Sequence, residues 1–289
     1  MGEKEIRGFP GGVHPTDGQD KSLTAGKLVK EYWPGSVTIL SEQSLNAKCS
    51  LMVKPGDQVL AGQLIGEPQS FTAAPLHASV SGIVREVKKI SSQDREILAC
   101  VIERTGEPEE KSFPHENEAA DISEYSEDVI IEGLLTGGLI GMGGAGFPVH
   151  KKYETEKRID TILINGAECE LFLTCDCRVM VEQGYGVING TRLMLKASGA
   201  DQAYICIEDN KPDAIKNLQK ILEEMKSQGY FEKEKPVQVQ VLPTKYPQGG
   251  ERQLIESVLG REVPMGGLPA DVGVIVSNVG TAKAAADVV

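Results

Sequence analysis

The sequence predicts an α/β chain built in two parts: a small all-strand module, then a larger region in which strands and helices alternate around a mostly parallel sheet. Three observations carry this. Six short apolar runs between Val37 and Ile102 are separated by turn signals such as Pro55-Gly56-Asp57 and Ala61-Gly62. Four aliphatic, β-branched runs, Thr161–Ile164, Ala203–Ile207, Val237–Val241 and Val272–Val276, alternate with stretches of helical periodicity. Between the two regions lies an acidic run that cannot bury enough apolar surface to fold alone.

The composition narrows the function classes. With 289 residues and 40% hydrophobic content, the chain can build one large domain or two ordinary ones. A formal charge of -12 argues against a nucleic-acid binder, which presents a basic face. No apolar run reaches the roughly 18 residues of a membrane helix, and MGEKEIRGF carries no signal-peptide pattern. Membrane association is therefore expected only through a partner. The cysteines, Cys49, Cys100, Cys169, Cys175, Cys177 and Cys206, are scattered, which suits free or structural thiols better than disulfides or a metal centre.

Residues 1–36, rich in Gly, Pro and Asp, read as an irregular arm lying on another surface, with His14 solvated or structural. The β module spans 37–104, with strands expected at Val37–Leu40, Leu51–Val53, Gln58–Leu60, Gln63–Glu67, Ser79–Val87 and Ile97–Ile102. Its VKPGDQVLAGQLIGE and APLHASVSGIVREVKK segments resemble the biotinyl/lipoyl-type barrel sandwich. Carriers of that fold attach their group to a lysine on an exposed hairpin tip. The stretch from Pro68 to Ala78 holds no lysine and offers Leu76-His77 at that turn, so a structural or docking barrel is expected. A linker follows at 105–128; from Glu103 to Asp128 ten acidic residues face only Arg104 and Lys111. In the last region, 129–289, helices are expected at Val179–Ala197, Pro212–Lys226 and Glu251–Leu259. For the second of these, Asn210 is expected as the cap, with Pro212 in the first turn.

The stretch from Gly133 to Tyr153, GLLTGGLIGMGGAGFPVHKKY, is the centre of the functional reading. Five glycines fall between Gly138 and Gly146, ahead of Phe147-Pro148 and the pair Lys151-Lys152. So many glycines require positive φ or close approach of a ligand, and free backbone N–H groups there suit an anion. A phosphate-bearing cofactor is the expectation. Residues 141–146 satisfy G-x-G-x-x-G, but the preceding VIIEGLLTGGLI reads as a helix rather than the strand that the dinucleotide fingerprint needs. Ligands of parallel α/β sheets sit at the carboxyl ends of strands. Three motifs fall there or at a helix start: Asn165–Glu170 (NGAECE), Tyr246–Glu251 (YPQGGE) and Ser277–Thr281 (SNVGT). The carboxylates of the first can accept from ribose hydroxyls or a carboxamide, ligate a metal, or sit solvated in a loop. Glu251 also suits the macrodipole of its helix, and Asn278 and Thr281 are ordinary cap residues.

Taken in order, GMGGAGFPVHKK, ILINGAECE, KYPQGGERQLI and VSNVGTA resemble the flavin- and NADH-binding subunit of respiratory complex I. More closely, with GGVHP and the early barrel, the chain resembles the C subunit of the Rnf-type electron-transport complex over nearly its whole length. That resemblance implies a Rossmann-like FMN/NADH-binding domain. Gly141, Gly143 and Gly144 would cradle FMN, with Lys152 reaching the flavin or its phosphate and Asn165 contacting it. Tyr246, Gly249 and Glu251 would line the cleft, and Asn278 and Thr281 would take the FMN phosphate end. Phe147 would stack on NADH, with Glu168 and Glu170 holding it. Met142 stands where the complex I subunit has arginine, and Leu171 where a proline is usual.

The chemistry so implied is hydride transfer between nicotinamide and FMN, with no covalent or acid/base side chain and no metal ligand in this stretch. The family continues into a β-grasp region and 4Fe-4S cluster motifs. This sequence has no such cysteine run, so a piece of a longer protein is expected. The implied setting is cytoplasmic and peripheral on the inner membrane, as one member of an ion-translocating ferredoxin:NAD oxidoreductase, without membrane insertion. Two other readings stand: a non-catalytic docking or assembly role, and a related flavoprotein feeding another reductase.

Overall fold

A computed structural model describes residues 8–30, 32–43, 47–92, 95–106, 117–144 and 146–289. Residues 107–116 of the acidic run, including Pro108, Lys111 and Pro114, lie outside the described residues, as does Ala145 of the glycine loop. The chain divides into two compact units. One comprises Lys30–Ser112 and Glu132–Lys151; the other comprises Met1–Val29, Phe113–Ile131 and Lys152–Val289.

The strand-rich unit is a sandwich of two antiparallel sheets. β1 (Ser36–Leu40), β7 (Arg95–Arg104), β6 (Gly82–Ser92) and β3 (Gln58–Val59) form one, in that order. β2 (Cys49–Leu51), β4 (Leu64–Pro68) and β5 (Leu76–His77) form the other. Between them, Ile39, Val59, Ile65, Leu76, Val84, Cys100 and Ile102 make one apolar core. The inward side chains alternate along each strand because successive residues of a strand point to opposite faces.

Two expected strands are displaced: Leu51–Val53 falls at Cys49–Leu51, and Ser79–Val87 is shifted and longer than read, while Leu76-His77, expected at a turn, forms the strand β5 against β4. β6 starts at Gly82 and continues through the polar KKISS segment, because β7 pairs with it over its whole length. Exposed charges then meet across the ladder, as in Lys89–Glu96 at 2.7 Å. Gly82 itself faces the Glu103 carbonyl so closely that a Cβ would lie 2.8 Å from its carbon.

The α/β unit carries a four-stranded, fully parallel sheet, ordered β10 (Val237–Leu242), β9 (Gln202–Glu208), β8 (Thr161–Gly166), β11 (Val274–Asn278). β8 and β9 are central and almost wholly buried, which explains their continuous apolar runs. A 3₁₀ turn at Val149–Lys152 closes the glycine stretch. A second, at Pro269–Val272, displaces β11 from the expected start at Val272, with Gly273 turning at φ 75°. The helices are α1 (Glu127–Thr136), α2 (Cys175–Glu182), α3 (Gly184–Ser198), α4 (Pro212–Ser227), α5 (Glu251–Leu259) and α6 (Val279–Val288).

The single helix expected over Val179–Ala197 is two. It breaks at Gln183 because Gly184 and Gly186 hold a helix poorly and because Asn217 of α4 occupies the break. The Asn217 amide donates to the terminal carbonyls of α2, Met180 at 2.9 Å and Val181 at 3.2 Å. Asn210 does not cap α4: the cap position is Lys211, without a side-chain cap bond. Asn210 instead donates to the Gln19 carbonyl at 2.7 Å and accepts from Lys211 at 2.7 Å. Among the described residues, no helix is long and apolar enough to cross a membrane.

Candidate functional site

The glycine stretch follows a helix, as its sequence implies. α1 ends at Thr136, and Gly138 turns the chain at φ 66° with its Cα against the Pro75 carbonyl and the His77 ring, where no side chain fits. Burial holds the His77 imidazole below the usual histidine range. The loop closes through Gly141 N–H to the Phe147 carbonyl at 2.9 Å and Val149 N–H to the Leu139 carbonyl at 2.9 Å. Gly144 has no atom within 4 Å of where a Cβ would stand, so its backbone lies open to a ligand. Phe147 sits beside Phe71, ring centroids 6.4 Å apart and tilted by 57°. The Lys151 ammonium lies 4.7 Å from the Phe71 centroid. The connecting segment that lacks the carrier lysine thus contributes an exposed phenyl ring to the surface beside Phe147.

In the α/β unit, the carboxyl ends of β8 and β11 bring Asn165 and Asn278 into register as neighbours. The Asn165 amide donates to the Gly249 carbonyl at 2.8 Å, and its oxygen accepts from Ala167 N–H at 3.1 Å. Gly249 N–H donates to the Cys169 sulfur at 3.3 Å. The Tyr246 hydroxyl donates to Glu170 at 3.2 Å. Asn165, Glu170, Tyr246 and Gly249, all expected site residues, are therefore joined by direct hydrogen bonds between the loops after β8 and β10. Glu251 is exposed in the first turn of α5.

Lys152 donates to the Val276 carbonyl at 2.6 Å, near the end of β11. Burial holds its ammonium below the usual lysine range, and the charge of Glu251 partly offsets this. Next along β11, the buried Ser277 hydroxyl has no hydrogen-bond partner among the described residues. An orphaned hydroxyl and a half-buried ammonium at one strand end are what a phosphate-bearing ligand would satisfy, so the residues present fit FMN.

Three expected contacts are engaged elsewhere. Glu168 is buried, at φ 47°, and its carboxylate accepts from Asp176 N–H at 2.6 Å and Cys177 N–H at 3.4 Å. It therefore caps α2, whose own cap residue Thr174 makes no side-chain bond. Asn278 caps α6, accepting from Gly280 N–H at 2.7 Å and Thr281 N–H at 3.4 Å, and its amide donates to Asp176 at 2.7 Å. Thr281 is fully buried in the first turn of that helix. Burial pushes the Asp176 carboxyl above the usual aspartate range. The Cys175 sulfur and carboxylate oxygens of Glu168 and Asp176 lie within 4.8 Å of one another.

Sequence reasoning missed Lys21, Glu208 and Lys211. Glu208 and Lys211 form a buried ion pair at 3.1 Å, and Lys211 also donates to the Ala167 carbonyl. Burial raises the Glu208 carboxyl and lowers the Lys211 ammonium. The spacing Glu-x-x-Lys at a strand end was the available signal for this pair. His14 rests at 3.1 Å from the Thr244 carbonyl, and Val13 pairs with Tyr246, so this part of the arm lies on its own α/β unit.

Comparisons with known proteins identify the family. Residues 135–287 match the family described as the Nuo51 FMN-binding domain, and residues 7–107 match the RnfC barrel sandwich hybrid domain. The chain is 39% identical over 291 residues to the C subunit of the Na(+)-translocating ferredoxin:NAD(+) oxidoreductase complex of Acetobacterium woodii, covering 96% of this chain and 61% of that one. It is 40% identical over 289 residues to the C subunit of the proton-translocating complex of Clostridium ljungdahlii, covering 98% and 60%. The C subunit of an ion-translocating oxidoreductase complex of Vibrio cholerae is 33% identical, with 96% of this chain and 35% of that one covered. The chain thus spans between about a third and three-fifths of these relatives' lengths. An NAD+-reducing [NiFe]-hydrogenase in its H2-reduced state shares the fold over 57% of this chain and 31% of its own, at TM-score 0.52 and 24% identity. The chain belongs to the family of the Nuo51 FMN-binding domain and carries an RnfC barrel sandwich hybrid domain ahead of it.

Proposed function

We propose that this chain is the FMN- and nicotinamide-binding portion of the C subunit of an ion-translocating ferredoxin:NAD oxidoreductase. The observation that carries the reading is the carboxyl end of the parallel sheet. There Asn165 is tied to the loop after β10, and the half-buried Lys152 ammonium lies near the orphaned Ser277 hydroxyl along β11. FMN, when bound, accepts a hydride from a nicotinamide and releases electrons singly. The chain's own part is binding and orientation. Lys152 supplies positive charge, and its burial makes pairing with an anion more favourable than for an exposed lysine. Asn165 fixes the loop that carries Gly249. The glycine loop at Gly141, Gly143 and Gly144 offers backbone to the flavin, and Phe147 offers a ring face to the nicotinamide cofactor.

Of the two carboxylates expected to hold that cofactor, Glu170 is assigned the role. It is exposed and is oriented by Tyr246, whereas Glu168 is committed to α2. Asn278 and Thr281 act on FMN through the start of α6. The protein would sit on the cytoplasmic face of the membrane, held there by partner subunits, and 4Fe-4S clusters would lie beyond this stretch of sequence.

Titrating FMN and then NADH into the purified chain tests the reading. Flavin fluorescence should be quenched on binding, and NADH should bleach the flavin band; no flavin binding refutes it. Lys152→Ala and Asn165→Ala should weaken flavin retention more than nucleotide binding. Equal loss of both would contradict the assigned roles.

A further inference from the structure

The N-terminal arm reaches the loop between β8 and α2 through one side chain. Lys21 is 8% exposed, and its ammonium donates to three backbone carbonyls: Glu168 at 2.8 Å, Glu170 at 3.3 Å and Leu173 at 2.7 Å. A fourth oxygen, from the Glu168 carboxylate, stands 3.8 Å away. Three carbonyls and a carboxylate converging on one point is the donor set of a bound monovalent cation; here the cation is tethered to the chain. The arm adds two further ties. Phe172 N–H donates to the Gly18 carbonyl at 2.9 Å, and the Asn210 amide holds the Gln19 carbonyl at 2.7 Å. The Phe172 ring covers Gly18, at φ 77°, where a Cβ would lie 2.9 Å from it.

The loop needs such support. Glu168 and Phe172 both have positive φ, at 47° and 63°, which is costly for residues with side chains. Packing does not supply it, because Leu171, Phe172 and Leu173 are 37%, 61% and 50% exposed. The loop carries Glu170, whose place is set by its backbone and by Tyr246.

We infer that Lys21 is a positioning residue for the nicotinamide nucleotide: it plugs a cation cradle in the 168–173 loop and so presents Glu170. This rests on the assignment of Glu170 above. The arm is thereby part of the nucleotide site and not a separate docking tail.

The test uses the full chain loaded with FMN. Lys21→Met keeps the stem and removes the charge. It should raise the NADH dissociation constant about tenfold, the equivalent of losing one charge-assisted hydrogen bond, and leave FMN affinity unchanged. Lys21→Ala should be rescued by ethylammonium chloride and not by tetramethylammonium chloride, which has no N–H to offer the carbonyls. Unchanged NADH affinity in Lys21→Met, equal loss of FMN and NADH, or rescue by both salts overturns the inference. Hydrogen exchange without any nucleotide provides the separating readout: amides of 168–173 should exchange faster in Lys21→Met than in the parent chain. If the parent chain binds no NADH but the exchange result holds, the functional reading fails and the latch stands; unchanged exchange removes the latch itself.

Discussion

Replacing Gly190 by alanine should destabilise the α/β unit despite improving helix propensity. Gly190 lies in the middle of α3, where α6 crosses it. A Cβ there would overlap the Ala282 carbonyl oxygen, lie 2.5 Å from its carbon and 3.2 Å from its Cα. These are backbone atoms of α6, so no side-chain rotation relieves the clash; the helices must separate. Alanine in a helix interior is worth about 1 kcal/mol over glycine. Overpacking a close-packed contact costs about 1–3 kcal/mol, occasionally more; with backbone on both sides the cost here falls at the top of that range, so the net change should be a loss of about 2 kcal/mol. Urea unfolding followed by helical circular dichroism measures it. Gly35→Ala, where nothing lies within 4 Å, is the control and should change little. The displacement also moves the start of α6, so FMN affinity should fall with stability. A Gly190→Ala chain as stable as its parent would refute the close-crossing argument.

Other outcomes follow from the same geometry. Asn278→Ala removes the cap of α6 and leaves the half-buried Asp176 without its amide donor, which should cost about 2 kcal/mol; adding Asp176→Ala should recover part of it in a double-mutant cycle. Asp176 also sets a pH dependence. Its folded-state carboxyl titrates above the ordinary aspartate value of 3.8, so its ionised form is disfavoured by folding. Its contribution is favourable at low pH and is lost as pH rises from 3.8 through the folded value. Asp176→Asn should therefore flatten the stability curve in that window, read by urea melts at successive pH values. Glu168→Ala should cost about 1–3 kcal/mol and loosen α2, whereas Glu170→Ala should leave the melt unchanged and weaken NADH binding. Phe71→Ala should remove the Lys151 contact, worth about 0.5–1 kcal/mol at an exposed site, measurable as a small loss of thermal stability.

The strands were legible wherever the apolar run met a turn residue. α5 matches its expected range, Glu251–Leu259, and Gly250 and Gly260 bracket it, the second at φ 65°. The break at Gln183 was not legible: nothing between Cys175 and Ser198 announces that Asn217, on another helix, takes the α2 carbonyls. The strand-end rule singled out Asn165 and Gly249, which share a hydrogen bond, and Tyr246 and Glu170, which share another. Lys21 could not be found that way. Its three acceptors lie 147, 149 and 152 residues along the chain, and they are backbone carbonyls, which no residue type advertises.

Glu168 and Glu170 show most sharply what spacing leaves open. Two residues apart in one motif, they are chemically equal in the sequence, and backbone geometry separates them. Positive φ at Glu168 turns its carboxylate inward onto the free N–H groups of α2, beside Lys21. Buried there, the charge is compensated by a helix terminus and an ammonium, so it is available to no ligand without unravelling α2. Glu170 is left facing solvent with a tyrosine hydroxyl on one oxygen. An acceptor that is held in place and still hydrated can exchange water for a ribose hydroxyl at little net cost. The inward carboxylate therefore builds the loop, and the outward one is the acceptor that the proposed nucleotide role calls for.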